Sequence, residues 1–253
     1  MDNLDYAKEK KRLNEIGPEF FSEKAMTIDK KQILMMVRRA LPYVKGPKVL
    51  EMSYNDRGWT DALMDKGFDL TVIEGSKFNV DYAKKKFAAR LNIIHTLFEE
   101  YQPKEKFDTI VMSCIIEHVV DSLHVVKLAA SWLKPDGIIL IVVPNMVSLH
   151  RRIGYHCGML KSLDELSEND HAVGHRKLYT VKSIKKEVMD AGLYSGRVQG
   201  IFLKPLSSDK LVDWSDELLN AFDKMGNELV EYAGFLFVPC YKDPSRVPDS
   251  EKE

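Results

Sequence analysis

The sequence has few of the features that mark secreted, membrane-spanning or zinc-binding proteins. Its 253 residues include three cysteines, Cys114, Cys157 and Cys240, an odd number without CxxC spacing. This pattern argues against a disulfide framework and against a cysteine-based zinc site, and it favours reduced thiols. No apolar run approaches the ~20 residues that a membrane span needs, and the charged N-terminus lacks the apolar core of a signal peptide. We therefore expect a soluble, cytoplasmic protein.

The chain also lacks an excess of charge of either sign. It carries 37 basic and 38 acidic side chains, which give a formal net charge of -1. Such a balance provides no general attraction to nucleic acids or to anionic membranes. Neither is expected as a partner, and the oligomeric state is expected to be a monomer or a homodimer.

The hydrophobic pattern that is present alternates between strand and helix from residue 47 onward. Short apolar runs with β-branched residues are separated by amphipathic stretches, which is typical of a parallel sheet with helices on both faces. The runs are KVLEMS, LTVIEG, LNIIHTL, FDTIVMSC and GIILIVVPN. In such sheets, ligands bind at the carboxyl ends of the strands.

We predict a single domain over residues 1–245, made of four parts. The parts are an N-terminal helical cap (1–44), a cofactor-binding core (45–145), an acceptor-side insertion (146–180) and closing helices and strands (181–245). Two late apolar runs, RVQGIFLKP and AGFLFVPCY, predict closing strands antiparallel to each other. The polar tail at 246–253 is predicted to be disordered.

Glycine is scarce where a nucleotide-binding turn normally needs it. The segment from Glu51 to Thr60, after the first strand, contains one glycine, Gly58. This turn has no GxGxxG fingerprint, which argues against a nicotinamide-dependent dehydrogenase. Asn55 can adopt left-handed backbone conformations, so a shifted loop is still compatible with nucleotide binding.

The next two strand ends carry residues suited to a nucleoside. Glu74 ends the second strand, where a carboxylate can accept hydrogen bonds from both ribose hydroxyls; a merely solvated glutamate is the alternative. Phe98 and Glu99 follow the third strand and are candidates to flank an adenine. A core phenylalanine beside a surface glutamate explains the second pair equally well.

The block FDTIVMSCIIEHVVDSLHVVKLAASWLKPDGIILIVVPN, with VLEMS and VIEGS before it, resembles class I S-adenosylmethionine-dependent methyltransferases. The resemblance implies a Rossmann-like α/β fold with a mostly parallel seven-stranded sheet, helices on both faces and an antiparallel closing strand. It also implies S-adenosylmethionine as cofactor. Later segments, SLHRRIGYHCGML and ENDHAVGHRKLYT among them, look like a subgroup often associated with sugar, polysaccharide or natural-product tailoring.

The resemblance places a donor site at the ends of the first four strands. Its members are Glu51, Ser53, Asn55, Gly58, Thr60, Glu74, Gly75, Ser76, Phe98, Glu99, Ser113 and His118. The family pattern acidic-x-Gly-x-Gly-x-Gly aligns here to Glu51, Ser53, Asn55 and Arg57, so other residues occupy all three glycine positions. A non-catalytic binding module that has lost the donor is therefore the alternative to an active enzyme.

Methyl transfer to a hydroxyl or amine needs alignment and, for a hydroxyl, a base. His175 is the first candidate for the base and His150 the second, whereas His118 is expected to order the loop beside the donor. An ordinary structural histidine is the alternative in each case. We expect no metal, because the chemistry requires none and no tight His/Asp/Glu ligand pattern is evident.

Several basic residues predict how the acceptor is bound. We expect an anionic small molecule, such as a nucleotide-linked or phosphorylated sugar, because arginine suits phosphate and carboxylate groups. Surface salt bridges are the alternative. The candidate acceptor-binding residues are Arg151, Arg152, Arg176, Tyr179 and Lys204. The first helix, with Tyr6, and the stretch Pro18–Phe21 are expected either to close over the cofactor or simply to pack.

Overall fold

The computed structural model describes residues 5–18, 28–56 and 58–251, and within them eight strands form one sheet. The strands are β1 (Lys48–Met52), β2 (Asp69–Glu74), β3 (Asn92–His95), β4 (Phe107–Ser113), β5 (Leu133–Pro144), β6 (Tyr194–Ser195), β7 (Gln199–Ile201) and β8 (Phe235–Tyr241). Their order is β3-β2-β1-β4-β5-β8, and both β6 and β7 pair with β8. The first five strands are parallel to one another, while β8 runs antiparallel to β5.

Helices cover both faces of this sheet. Those in the described part of the chain are α1 (Tyr6–Ile16), α2 (Ile28–Ala40), α3 (Trp59–Asp65), α4 (Lys77–Phe87), α5 (Ser122–Trp132), α6 (Leu149–His156), α7 (Glu168–Ala172), α8 (Val181–Asp190) and α9 (Asp216–Glu228). The helices α2, α3 and α4 pack in one hydrophobic cluster, and α5 and α8 in another. Within these residues, no helix is both long and apolar enough to cross a bilayer.

The central strand β5 shows why the apolar run GIILIVVPN predicts a sheet buried on both faces. Successive side chains of a strand point to opposite faces. Accordingly Ile138, Leu140 and Val142 belong to one cluster and Ile139, Ile141 and Val143 to the other, and all six are fully buried. A strand of this kind requires helices on both faces, as the sheet has.

The predicted fold class is confirmed, with one change in the strand count. The edge position beyond β8 is occupied by two short strands, β6 and β7, instead of one, because residues 196–198 leave the ladder. Gly196 allows this close approach, since a Cβ there would lie 2.2 Å from a Glu251 carboxylate oxygen. The predicted antiparallel pairing of the two late runs is present as β7 with β8.

The chain remains ordered further than the sequence predicts. Residues 244–246 and 249–251 form single 3-10 turns, and Glu251 is buried, accepting a 3.2 Å hydrogen bond from the Tyr241 hydroxyl. The disorder predicted for residues 246–253 is therefore not found in residues 246–251. Residues 252–253, Arg57 and the part of the Pro18–Phe21 stretch after Pro18 lie outside the described residues.

Candidate active site

A cavity of about 380 Å³ lies at the carboxyl ends of the parallel strands. This volume falls within the roughly 300–1,000 Å³ of small-molecule sites. Its walls come from the ends of β1, β2, β4 and β5, and from the segment that the sequence assigns to an acceptor-side insertion. Helix α1 covers one side, with Arg12, Leu13 and Ile16 in the wall. The cavity is therefore where an open α/β sheet places its ligand.

Most of the predicted donor residues lie in the wall of this cavity. They are Ser53, Asn55, Glu74, Gly75, Ser76, Phe98, Glu99, Ser113 and His118. The other three predicted donor residues, Glu51, Gly58 and Thr60, are not part of the cavity wall. Glu51 is buried beneath the loop, where the Thr60 hydroxyl donates a 2.8 Å hydrogen bond to it, and burial raises the pKa of Glu51 to about 8. Gly58 faces α2, since a Cβ there would lie 3.0 Å from Leu34.

The turn after β1 has the backbone of a glycine loop without the glycine. Ser53 occupies the first glycine position of the family pattern and has φ 68°, in the left-handed region. Glu74 offsets the cost of this conformation, because one of its oxygens accepts hydrogen bonds from the Ser53 hydroxyl (2.8 Å) and the Tyr54 amide (3.0 Å). The loop is thus shaped by a carboxylate at the end of β2.

Glu74 is buried at the cavity wall among hydrogen-bond donors. Its second oxygen accepts a 2.6 Å hydrogen bond from the Ser76 amide, and the Asn79 side chain is a further donor to the carboxylate. Burial raises the pKa of Glu74 and these hydrogen bonds oppose the rise. Phe98 and Glu99 form a short 3-10 turn beside it in the cavity wall. The residues present therefore fit a nucleoside.

On the opposite side, His175 is bound to a carboxylate that the sequence analysis did not select. Its Nδ1 atom lies 2.8 Å from Asp170 Oδ1. Helix α7 ends in a Schellman motif, in which His175 N–H donates to the Asp170 carbonyl and Gly174 N–H to the His171 carbonyl. Gly174, with φ 81°, allows the chain to reverse and brings the two side chains together.

Asp170 is held as an anion by its other contacts. Its Oδ2 atom accepts hydrogen bonds from the Arg151 guanidinium (2.8 Å) and from the Ser167 amide and hydroxyl (2.8 and 2.6 Å). Burial tends to raise the pKa of Asp170, but the hydrogen bonds from His175 and Ser167 outweigh it and hold the pKa well below its usual value. An ionised Asp170 requires the proton of a neutral His175 ring on Nδ1, which leaves Nε2 as the acceptor.

Glu117 and His118 complete a cluster with His175. Each of the three offers a ligand atom within 4.8 Å of the others, so the expectation that the chain has no tight ligand cluster is wrong. The sequence does not reveal it because His175 is far along the chain from the other two. Burial raises the pKa of Glu117 to about 7, and the nearby His175 and a hydrogen bond from the Cys114 thiol oppose the rise.

His150, the second candidate for the base, lies in the same cavity in a different environment. Its Nδ1 atom lies 3.1 Å from the Ser148 hydroxyl. Burial, followed by the nearby charges of Lys204 and Arg151, lowers its pKa to about 3. Burial and His175 likewise lower the pKa of His118 to about 3. Both rings are therefore neutral near pH 7 and resist protonation.

The predicted acceptor-binding residues do not converge on the cavity as a group. Arg152 donates to the Val147 carbonyl, and Arg176 donates to the His118 carbonyl and pairs with Glu9 of α1. Tyr179 is fully buried in the core. Arg151 lines the cavity but is bound to Asp170 and to the carbonyls of Leu163 and Glu165. Lys204 is the member of the set whose ammonium faces the cavity without such contacts.

Asp170 and Glu117 are thus the two site residues that sequence reasoning missed. Both belong to segments that it had singled out, the EHV element and the run ENDHAVGH. The usable signal for Asp170 was Gly174, because a glycine just after a short helix predicts a left-handed C-cap that folds the next residue back. For Glu117 there was none, since nothing in the sequence distinguishes a buried glutamate from an exposed one.

Comparison with known proteins identifies the family of the chain. Residues 11–195 match the model of a methyltransferase-domain family. A ubiquinone biosynthesis O-methyltransferase of Bradyrhizobium diazoefficiens is 28% identical over 110 residues, 42% of this chain and 44% of the relative. One of Rickettsia typhi is 29% identical over 87 residues, 33% of this chain and 35% of the relative. The chain thus spans less than half the length of these curated relatives.

Solved structures share the fold over most of the chain. A methyltransferase of Thermotoga maritima, described as a possible histamine N-methyltransferase, superposes with a TM-score of 0.61 at 15% identity, covering 94% of this chain and 99% of that one. A Burkholderia thailandensis 1,6-didemethyltoxoflavin-N1-methyltransferase with bound S-adenosylhomocysteine gives 0.56 at 12% identity, covering 92% and 85%. Since the matched family model covers well over half of the sequence, the chain belongs to the methyltransferase-domain family.

Proposed function

We propose that the protein methylates a hydroxyl group of a small-molecule acceptor, with His175 as the group that removes the hydroxyl proton. The observation that carries this proposal is the 2.8 Å contact between His175 Nδ1 and Asp170. A histidine in a cavity wall, oriented by a buried carboxylate, is the arrangement that activates hydroxyl groups for attack.

When bound, S-adenosylmethionine supplies an electrophilic methyl group on a sulfonium sulfur. A neutral hydroxyl attacks such a carbon poorly, so its proton must leave as the new bond forms. His175 Nε2 accepts that proton, because Asp170 holds the Nδ1 proton in place and stabilises the charged ring that results. Arg151 and Ser167 keep Asp170 ionised through their hydrogen bonds.

The other two cavity histidines suit this role less well. A base works best when its protonated form is accessible near the working pH. Burial holds the pKa of both His150 and His118 near 3, so taking up a proton there is costly. His175 is instead oriented by the Asp170 carboxylate, 2.8 Å from its Nδ1 atom.

The choice of oxygen over nitrogen rests on the need for this base. An amine acceptor in its neutral form is already a nucleophile and needs no ordered carboxylate–histidine pair. The curated relatives are named O-methyltransferases, whereas several proteins that share the fold are named N-methyltransferases. The earlier hypothesis of a phosphorylated or nucleotide-linked sugar loses its main support, because Arg151, Arg152 and Arg176 are bound to protein groups.

The proposal is tested with acceptor pairs that differ only in the reacting atom. Hydroxyphenyl and aminophenyl versions of the same compounds are incubated with S-adenosylmethionine, and methylated products are identified by mass spectrometry. We expect methylation on oxygen, with the amine at least about tenfold slower, because only the hydroxyl benefits from a base.

Two outcomes would contradict the proposal. One is an amine methylated as fast as its hydroxyl counterpart. The other is activity that EDTA abolishes and a divalent cation restores. Such a result would assign the cluster of Glu117, His118 and His175 to a metal ion instead of proton transfer.

A further inference from the structure

Lys204 lines the cavity from the chain segment that follows β7. Its Nζ atom donates a 2.9 Å hydrogen bond to the Ser208 hydroxyl. No described carboxylate oxygen lies within the 4.0 Å of an ion pair, although Asp29, Asp170 and Asp209 act on the ammonium from farther away. Burial lowers the pKa of Lys204. A desolvated cation without an ion-pair partner calls for an anion from outside the protein.

The surroundings of Lys204 contain donors and one carboxylate, because Asp29 lines the same cavity and accepts a 3.4 Å hydrogen bond from the Gln32 amide. The Gln32 amide also donates to the Ser208 oxygen, at 3.2 Å, so this hydroxyl accepts twice and its own proton is left to donate. Lys204, Gln32 and Ser208 all line the cavity. Three convergent donors match the oxygen atoms of one small anionic group.

The other cations in the cavity wall are already neutralised. Arg12 pairs with Glu9, and Arg151 pairs with Asp170 at 2.8 Å. Among the described residues that line the cavity, Lys204 is the one lysine or arginine without a carboxylate partner. With the Asp29 carboxylate in the same cavity wall, the site has little positive charge to spare, so it suits a singly charged carboxylate better than a phosphate dianion or a diphosphate.

Part of the cavity wall is apolar. Ile33 and Met36 of α2 and Phe235 of β8 face the same cavity. These side chains can bury a flat hydrocarbon body but offer no hydrogen bonds to the hydroxyl groups of a sugar. The described wall therefore contains the Lys204 ammonium, a set of apolar side chains and the His175 base.

We propose that the acceptor is a hydroxyl-bearing aromatic or similarly apolar acid whose carboxylate binds Lys204, Gln32 and Ser208. This inference rests on the proposed O-methylation and names its substrate class. The carboxylate anchors the acceptor at one end of the cavity, and the apolar body spans the middle. The hydroxyl is then left at the His175 end for methylation.

Binding measurements on the complex with S-adenosylhomocysteine test this inference without requiring turnover. The probes are hydroxybenzoate, hydroxyphenylacetate and hydroxycinnamate, each compared with its neutral amide. At least one acid is expected to bind about tenfold tighter than its amide, as a charge-assisted hydrogen bond provides. Lys204→Met should remove that preference. Lys210→Met should keep it, because Lys210 is exposed and forms an ion pair with Asp209.

The outcomes separate this inference from the proposed function. Equal binding of acid and amide, a preference that survives in Lys204→Met, or no binding by any acid would overturn the carboxylate site. Tighter binding of glucose 6-phosphate than of every acid would overturn it as well. If Lys204→Met lowers the melting temperature, Ser208→Ala provides a second variant, expected to weaken the acid and not the amide. None of these results depends on which group removes the proton.

Discussion

Replacing His175 by glutamine is expected to lower kcat by roughly 10²–10⁴-fold, the usual contribution of a positioned base. Glutamine keeps a polar side chain of similar reach but cannot accept the hydroxyl proton. Binding of S-adenosylhomocysteine, measured by calorimetry, should change little, because the hydrogen bonds that hold Glu74 and the Ser53 turn do not involve His175. The loss should therefore appear in turnover and not in donor affinity.

Two further variants distinguish catalysis from structure. His171→Gln is the matched control, since His171 is exposed in the short helix that precedes His175 and should retain full activity. Asp170→Asn should lower kcat by a similar factor to His175→Gln, because the ring then loses the group that fixes its tautomer. Retention of more than about a third of wild-type kcat in His175→Gln, with the proper fold by circular dichroism, would exclude His175 as the base.

Replacing Glu74 by alanine is expected to weaken binding of S-adenosylhomocysteine by at least about 100-fold. The variant loses the acceptor for the ribose hydroxyls, and it also loses the group that holds the Ser53 hydroxyl and the Tyr54 amide in place. Charge-assisted hydrogen bonds contribute about 1.5–3 kcal/mol each, so two of them account for such a factor. The measurement is the calorimetric dissociation constant.

The control for Glu74→Ala is Asp81→Ala. Asp81 is an exposed carboxylate on α4, and its ion-pair partner among the described side chains is Lys77. That variant should bind the product as the wild type does. A Glu74→Ala protein that is folded and binds S-adenosylhomocysteine within about threefold of the wild type would show that the nucleoside is held elsewhere.

The sequence predicts the sheet well because burial on both faces leaves a strong pattern. The fully apolar stretch Ile138–Val143 fits only a central strand covered on both sides, and the structure places it there. The split of the edge strand was not predictable in the same way. It depends on a close approach at Gly196 to Glu251, a contact between residues far apart in the chain.

The donor loop shows how a correct fold prediction can coexist with a doubtful site prediction. The sequence places Ser53 at a position where glycine is normal, which argues for lost binding. In the structure Ser53 has the left-handed backbone conformation that glycine adopts easily, and its hydrogen bond to Glu74 offsets the strain. Sequence patterns report which residue is present, but not whether a neighbour from another strand stabilises an unfavourable conformation.

The acceptor side was harder to predict for a related reason. Three arginines predict an anion site by type, yet Arg151, Arg152 and Arg176 are all bound to backbone or carboxylate groups that other segments bring to them. Lys204 differs from them only through what is absent around it. Whether a charge is neutralised is a property of the fold, so the sequence could name Lys204 but could not single it out.

Calorimetric titration of the wild-type protein with S-adenosylhomocysteine tests most directly whether the glycine-poor loop held by Glu74 binds the donor. The account predicts saturable binding of one molecule per chain with a micromolar dissociation constant. Absence of any binding heat at millimolar ligand, from a protein that is folded, would contradict it and favour a non-catalytic module built on the same fold.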